Sequence, residues 1–233
     1  FVLLFACVAP HALGISAAAA FLGALASALL VFFVSAYAGA SRLTIVLAGM
    51  ALTAIFTAGM NTVLIFNPDA YVNSSGFLVG SLSGVMMSEL AIPGIMICAG
   101  LILAMGQGTR LNILSLGDEG AHALGLNVNR TRLALLSLAA LLAGAAVCFS
   151  GLIGFVGLIV PHVVRYVAGH DNRHVLALSP IVGAILVCAC DTIARTLFAP
   201  FEIPVGICMA LVGGPFFIYL ILHSRKGEVD GRA

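Results

Sequence analysis

Long stretches of this chain carry no formal charge. No Asp, Glu, Lys or Arg occurs in residues 1–41, 43–68, 90–109, 133–164 or 203–224. A helix that crosses the hydrocarbon of a bilayer takes about 20 mostly apolar residues, and each of these intervals is that long or longer. Over all 233 residues, 8% are charged and 62% are hydrophobic. A soluble domain carries roughly 25% charged residues. A chain so poor in charge cannot cover a water-facing surface, so we read it as an integral membrane protein. The expected fold is all-α, a polytopic bundle of transmembrane helices forming one domain over residues 1–233.

The first interval is too long for one span, and Pro10, His11 and Gly14 break it. It gives the end of one helix at about 1–9 and a second at about 15–39. Further spans are expected at about 43–66, 88–106, 132–150, 152–168, 175–197 and 204–223, eight segments with the first partial. Asn67-Pro68-Asp69 ends the third, because proline disfavours helix at the residue before it. Residues 70–85 form a Gly/Ser-rich connector, and 107–131 is the most polar stretch of the chain. Gly76, Gly80 and Gly84 recur every four residues, and Gly151, Gly154 and Gly157 every three. Both series read as small-residue surfaces where helices pack closely in lipid. The chain opens on Phe1 inside an apolar run with no basic region before it. That opening is not a signal peptide, and further residues are expected upstream.

Orientation follows from the basic residues of short loops. If loops alternate sides, one side holds Arg42, Arg110, Arg130, Arg132, Arg165, Arg173, Arg225, Lys226 and Arg232, and the other holds Arg195 alone. The first side is expected to be cytoplasmic, with the C-terminus inside. Tyr37, Tyr71, Tyr166 and Tyr219 fall near segment ends, as in an interfacial aromatic belt.

Several functions are excluded or unsupported. The chain's one lysine, Lys226, follows Arg225, so the Gly-Lys-Ser/Thr of a phosphate-binding P-loop is absent. Net charge is +1, which gives no reason to expect nucleic acid. Cys7, Cys98, Cys148, Cys188, Cys190 and Cys208 all sit in apolar stretches without CxxC spacing and read as packing residues. His170 and His174 are four apart, but with Asp171 and Arg173 beside them they read as a solvated turn. No nucleophile–base arrangement or metal-ligand cluster is found, so no catalysis and no metal site is expected.

Four constellations remain. In the polar stretch 110–131, Ser115 is placed to cap a short helix, with Asp118 and Glu119 in its first turn and Gly125 ending it. Leu114, Leu116, Ala121, Leu124 and Leu126 are its apolar positions, and Asp118, Glu119 and His122 its polar ones. Such a helix either lies on the membrane surface or docks into a partner's groove, and pattern alone leaves both open. Second, Pro161 bends an apolar span ahead of His162, a histidine that reads as hydrogen-bonded structure, and Arg165. Third, Asp191 and Arg195 sit four apart in an apolar helix, as a structural pair or a functional one. Glu202 precedes Pro204 and Gly206 and reads as a helix-start acid or as part of a site. Fourth, Thr53, Thr57 and Asn61 make one polar stripe, with Met50 and Met60 close to the same face. The stripe faces either a neighbouring helix or a wet pathway.

The run Gly151-Leu-Ile-Gly154-Phe155-Val-Gly157-Leu-Ile-Val-Pro161-His162-Val-Val-Arg165 resembles the signature of the iron-siderophore, haem and vitamin B12 ABC importer permeases. So do Asp171-Asn172-Arg173-His174, Asp191-Thr192-Ile193-Ala194-Arg195 and Glu202-Ile203-Pro204-Val205-Gly206. Leu111 to Gly117 and Leu124-Gly125-Leu126 are similar to the same family's cytoplasmic loop. The resemblance covers essentially the whole chain. It implies a family fold of ten membrane helices, of which about eight are present, with two permease copies around a central pathway. It implies two cytoplasmic ATPase subunits that bind ATP and Mg, no cofactor on this chain, and a periplasmic or lipid-anchored substrate-binding protein. The setting it implies is a bacterial or archaeal cytoplasmic membrane.

By the same resemblance, Leu114, Ser115, Leu116, Gly117, Asp118, Glu119, His122, Leu124 and Gly125 would couple to the ATPase. Arg195, with Glu202 near it, would meet the binding protein, and Met50, Thr53, Thr57, Met60 and Asn61 would line the pathway. The family's first two helices and most of the third have no counterpart, and Phe77 stands where the family often has Trp. A secondary transporter or channel working without an ATPase is the alternative. It would need ionisable groups at mid-bilayer, and only Asp191 comes close.

Overall fold

The computed structural model describes residues 42–66, 76–197 and 200–230, together with eight helical positions between 22 and 34. The expected segments at 1–9 and most of 15–39 lie outside the described residues, as do Tyr37 and Tyr71. Among the described residues the secondary structure is helical throughout, with turns between, as expected. We number the helices α1 (Arg42–Phe66), α2 (Met87–Met105), α3 (Gly108–Ser115), α4 (Asp118–Ala123), α5 (Val128–Ser150), α6 (Val156–Ala168), α7 (Asn172–Leu197) and α8 (Val205–Asp230). A further helical turn occupies residues 76–79.

Three of these contain stretches long and apolar enough to cross a membrane: Val46–Phe66, Val128–Ser150 and Asn172–Leu197. A fourth span results if Leu90–Met105 and Gly108–Ser115, bent by 53° at their junction, count as one. The polytopic expectation therefore holds. The polar stretch before α5 differs in detail. It folds into two short helices, and α5 begins at Val128 because the Asn127 side chain accepts the Arg130 N–H as its cap. In the same way α7 begins at Asn172, where the Asp171 carboxylate accepts the Arg173 N–H.

The chain divides into two compact units. The first holds α1 to α5. In it α2 meets α5 at Gly100, where a Cβ would run into the Leu141 and Leu142 side chains.

The second unit holds residues 76–84 and α6 to α8. The three helices pack on one another around Ile159, Cys190, Val205 and Met209, with Val160, Val164 and Val175 forming a second buried patch. Outside this small core, Ile181, Ile185, Leu211 and Ile218 are exposed. An exposed apolar surface of this kind suits lipid or a partner and not water.

Both glycine series of this unit differ from expectation. Residues 151–155 are not helical, so α6 starts at Val156 instead of near 152. Gly80, Gly84 and Gly151 all have positive φ, which no continuous right-handed helix contains. Gly80 and Gly151, with Gly206, serve backbone contacts. The Leu152 N–H donates to the Phe77 carbonyl at 2.9 Å, and the Gly206 N–H donates to the Gly80 carbonyl at 3.0 Å. A Cβ on Gly151 would strike the Phe77 backbone, and one on Gly206 would strike the Val79 carbonyl. In hydrocarbon every backbone polar group needs a protein partner, so non-helical segments survive here by bonding to each other. Phe155 closes the arrangement in a left-handed conformation at φ 66°, with its carbonyl accepting the N–H groups of Leu158 and Ile159 and its ring against Gly213.

Candidate functional site

The first candidate lies in the first unit, on α3 and α4. The Ser115 hydroxyl donates to the Asn112 carbonyl at 2.6 Å. It therefore ends α3 and does not cap α4, contrary to expectation. The N-cap is Gly117, at φ 92° and ψ 169°, a region open essentially to glycine alone. Its carbonyl accepts the Ala121 N–H. Gly125 does end α4, at φ 77°. The Gly125 N–H reaches the His122 carbonyl and the Leu126 N–H reaches the Ala121 carbonyl, the paired bonds of a Schellman motif.

The side chains of this hairpin divide by face. Ala121 is fully buried, and Leu114 and Leu126 are half-buried. Leu116 and Leu124 point the other way, 65% and 61% exposed, next to exposed Asp118, Glu119 and His122. Asp118 is tied to the first turns of α5 by a 2.7 Å ion pair from Arg132. The result is a knob anchored underneath and apolar at its tip.

The second candidate lies in the second unit. Nε of Arg195 donates to Oδ2 of Asp191 at 2.8 Å across one helical turn of α7. The Glu202 carboxylate accepts the Ser83 hydroxyl. Both pairs line one small cleft of about 70 Å³ with Ser81, Ile203, Pro204 and Val205. That volume has room for a few waters and none for a metal chelate. From sequence Glu202 reads as a helix-start acid or as part of a site. Its hydroxyl partner lies 119 residues upstream, and the Gly206 N–H at the start of α8 is satisfied by a backbone carbonyl instead. Pro204 stands just before Val205, the first residue of α8, and not inside its first turn. Ser81 and Ser83 were missed by sequence reasoning. They sit in a Gly/Ser-rich connector, and nothing local marks a partner so far along the chain.

The polar stripe of α1 is exposed along its length at Thr53, Thr57 and Asn61, with Met50 exposed and Met60 half-buried. The Thr53 hydroxyl bonds to the Gly49 carbonyl of its own helix. No described neighbour helix of its unit covers the stripe.

The motif residues of α6 have local roles. Pro161 has no N–H to give to the Gly157 carbonyl. Nδ1 of the exposed His162 lies 2.8 Å from the Leu158 carbonyl, so Nδ1 carries the proton in that bond. Arg165 occupies the last turn of α6, where a cation meets the helix's negative end. Gly154 and Gly157 have open space where a side chain would project. Among the described residues no group of three or more His, Cys, Asp or Glu is placed to hold a metal ion.

The model of the FecCD transport family matches residues 1–223. The chain belongs to the FecCD transport family. It is 41% identical over 208 residues to the hemin transport system permease protein of Yersinia pestis, covering 89% of this chain and 62% of that protein. It is 39% identical over 207 residues to the cobalamin import system permease protein of Halobacterium salinarum, covering 87% of this chain and 55% of that one. Among solved structures, a metal-chelate type ABC transporter in an inward-facing conformation matches with a TM-score of 0.75 and 27% identity, over 92% of this chain and 75% of that one. The FecCD chain thus spans about half to just over three-fifths of the length of the curated relatives it matches. Every candidate residue above falls inside the family match.

Proposed function

We propose that this FecCD chain is the membrane-spanning permease subunit of an ATP-binding cassette importer for a metal chelate such as haem, an iron-siderophore or cobalamin. The observation that carries the reading is the family match over residues 1–223, joined to an anchored knob whose tip exposes Leu116 and Leu124. Two cytoplasmic ATPase subunits, holding ATP and Mg, receive the α3–α4 knob in a groove, and a second permease copy completes the pathway. The exposed leucines supply the apolar contact, and Asp118, Glu119 and His122 supply the polar rim.

Nine of the ten basic side chains fall on the side we assign to the cytoplasm, with the C-terminus. Arg195 falls on the other, where a substrate-binding protein delivers the chelate. When ATP binding draws the ATPase subunits together, force on the knob reaches α5 through the Asp118–Arg132 pair and tilts the bundle. Thr53, Thr57 and Asn61, uncovered within their own unit, then line the path with Met50 and Met60. An ion-driven carrier has less support, because Asp191 is already held by Arg195.

The test is uptake in liposomes. The permease, reconstituted with its ATPase and binding protein, should accumulate the chelate only with hydrolysable ATP. Uptake driven by an ion gradient without the ATPase would replace this reading with the carrier.

A further inference from the structure

Two of the cysteines that read from sequence as packing residues meet in the fold. Cys190 lies on α7 and Cys208 in the first turn of α8, within the same compact unit. Cys190 is 3% exposed, and Cys208 packs against the buried cluster that contains it, together with Leu186 and Met209. The two side chains are hydrogen-bonded to each other, and both are free thiols. Spacing along the chain hides this pair, since α7 ends and α8 begins between its members. Cys188 is exposed instead, because two residues turn a helix by about 200°. Cys98 and Cys148 belong to the first unit. The burial of the pair is graded: Cys190 is closed off, whereas Cys208 is half-buried and within reach of a small solute.

We infer that Cys190 and Cys208 are an oxidisable pair, which a small hydroperoxide converts to a disulfide that staples α7 to α8. Hydrogen peroxide meets Cys208 first. The Cys208 sulfur attacks one peroxide oxygen, the O–O bond breaks, and the leaving hydroxide takes the thiol proton to become water. Cys208 is then a sulfenic acid. The Cys190 sulfur attacks the Cys208 sulfur, the S–O bond breaks, and the leaving hydroxide takes the Cys190 proton. Two thiols lose two electrons, one peroxide gains them, and two waters form. With Cys190 already in contact, the sulfenic acid is consumed before it oxidises further. The staple lies one residue from Asp191 and three from Val205, both of which line the small cleft. It therefore ties the C-terminal part of α7 to the start of α8. The chemistry needs only this chain, and none of the partners of the transport reading.

The experiment treats the full chain, reduced and embedded in nanodiscs, with hydrogen peroxide. Remaining thiols are alkylated after denaturation and read by mass spectrometry. We expect two thiols per chain to be lost, a crosslinked peptide joining Cys190 to Cys208, and recovery of both thiols with dithiothreitol. Oxidation should raise Tm by about 2–4 °C. Cys208→Ser should abolish both the crosslink and the rise. In Cys190→Ala, Cys208 should stop at the sulfenic acid and be trapped by dimedone. Should that variant not fold, the parent chain and Cys208→Ser still decide the matter. If exposed Cys188 is oxidised while Cys190 and Cys208 stay reduced, or if Cys208 in the parent chain yields a dimedone adduct and no crosslink, the pair is overturned. A crosslink that leaves Tm unchanged would overturn the staple.

Discussion

Two regions of the molecule use glycine in opposite ways. In the second unit, Gly151 and Gly206 are pressed against other backbone, and their value is the missing Cβ. In the first unit, the Gly117 and Gly125 positions are open, with nothing within contact of a built Cβ. There the value of glycine is its positive φ. One region is a lock, held by backbone bonds between distant segments. The other is a presented knob, shaped by local turns and exposing its apolar tips. Close approach tolerates no added atom, whereas a local turn tolerates a strained one at moderate cost. The lock should therefore fail in folding, and the knob should fail in function first.

The sharpest way to break this contrast is Gly206→Ala. An added methyl meets the Val79 carbonyl, a backbone atom that cannot move aside without losing the Gly80–Gly206 bond. We expect about 3 kcal/mol or more of destabilisation, read as a large drop in detergent-solubilised Tm and membrane yield. Gly157→Ala, with open space around it, is the control and should match the parent. Equal behaviour of the two would remove the lock.

Next is Ala121→Leu, which overpacks the one fully buried position under the knob and should cost about 1–3 kcal/mol. Gly117→Ala should follow at about 1–2 kcal/mol from its backbone strain. Its larger effect should be a loss of ATP-coupled uptake at near-normal expression, checked by uptake per ATP hydrolysed. Leu116→Ala with Leu124→Ala should leave Tm unchanged and weaken ATPase binding, measured by co-purification. Intact binding would favour a knob lying on the membrane surface.

The smallest expected stability effect is Arg132→Gln. Its pair with Asp118 is partly exposed, with the two side chains 27% and 52% accessible. Such pairs contribute about 0–1 kcal/mol. A Tm change within that range, together with reduced coupling, would fit a strut. Unchanged coupling would leave the pair as surface decoration.

Particular elements show how much was legible in advance. The spans around α1, α2 and α5 follow from runs without charge, since length and apolarity are local properties that lipid reads directly. Gly125 as a helix end was legible for a similar reason, because a left-handed C-terminal position selects glycine from its own backbone alone. The Asp191–Arg195 pair was visible as an i, i+4 spacing and is present. Ser115 was misjudged because two short helices, not one, occupy the polar stretch, and a serine between them serves the first. The glycine repeats misled because a spacing of three or four looks the same whether it marks a helix face or a series of turns.

The sequence alone determined that this chain lives in a membrane as helices, and its motifs singled out the polar stretch 110–131 and Arg195. Only the tertiary structure decided which glycines are locks, that Ser83 reaches Glu202, and which leucines of the knob face outward. The physical reason is range. Hydropathy and helix ends are settled within a few turns of chain, whereas a backbone contact between residues 77 and 152 or 80 and 206 exists only once the helices have packed.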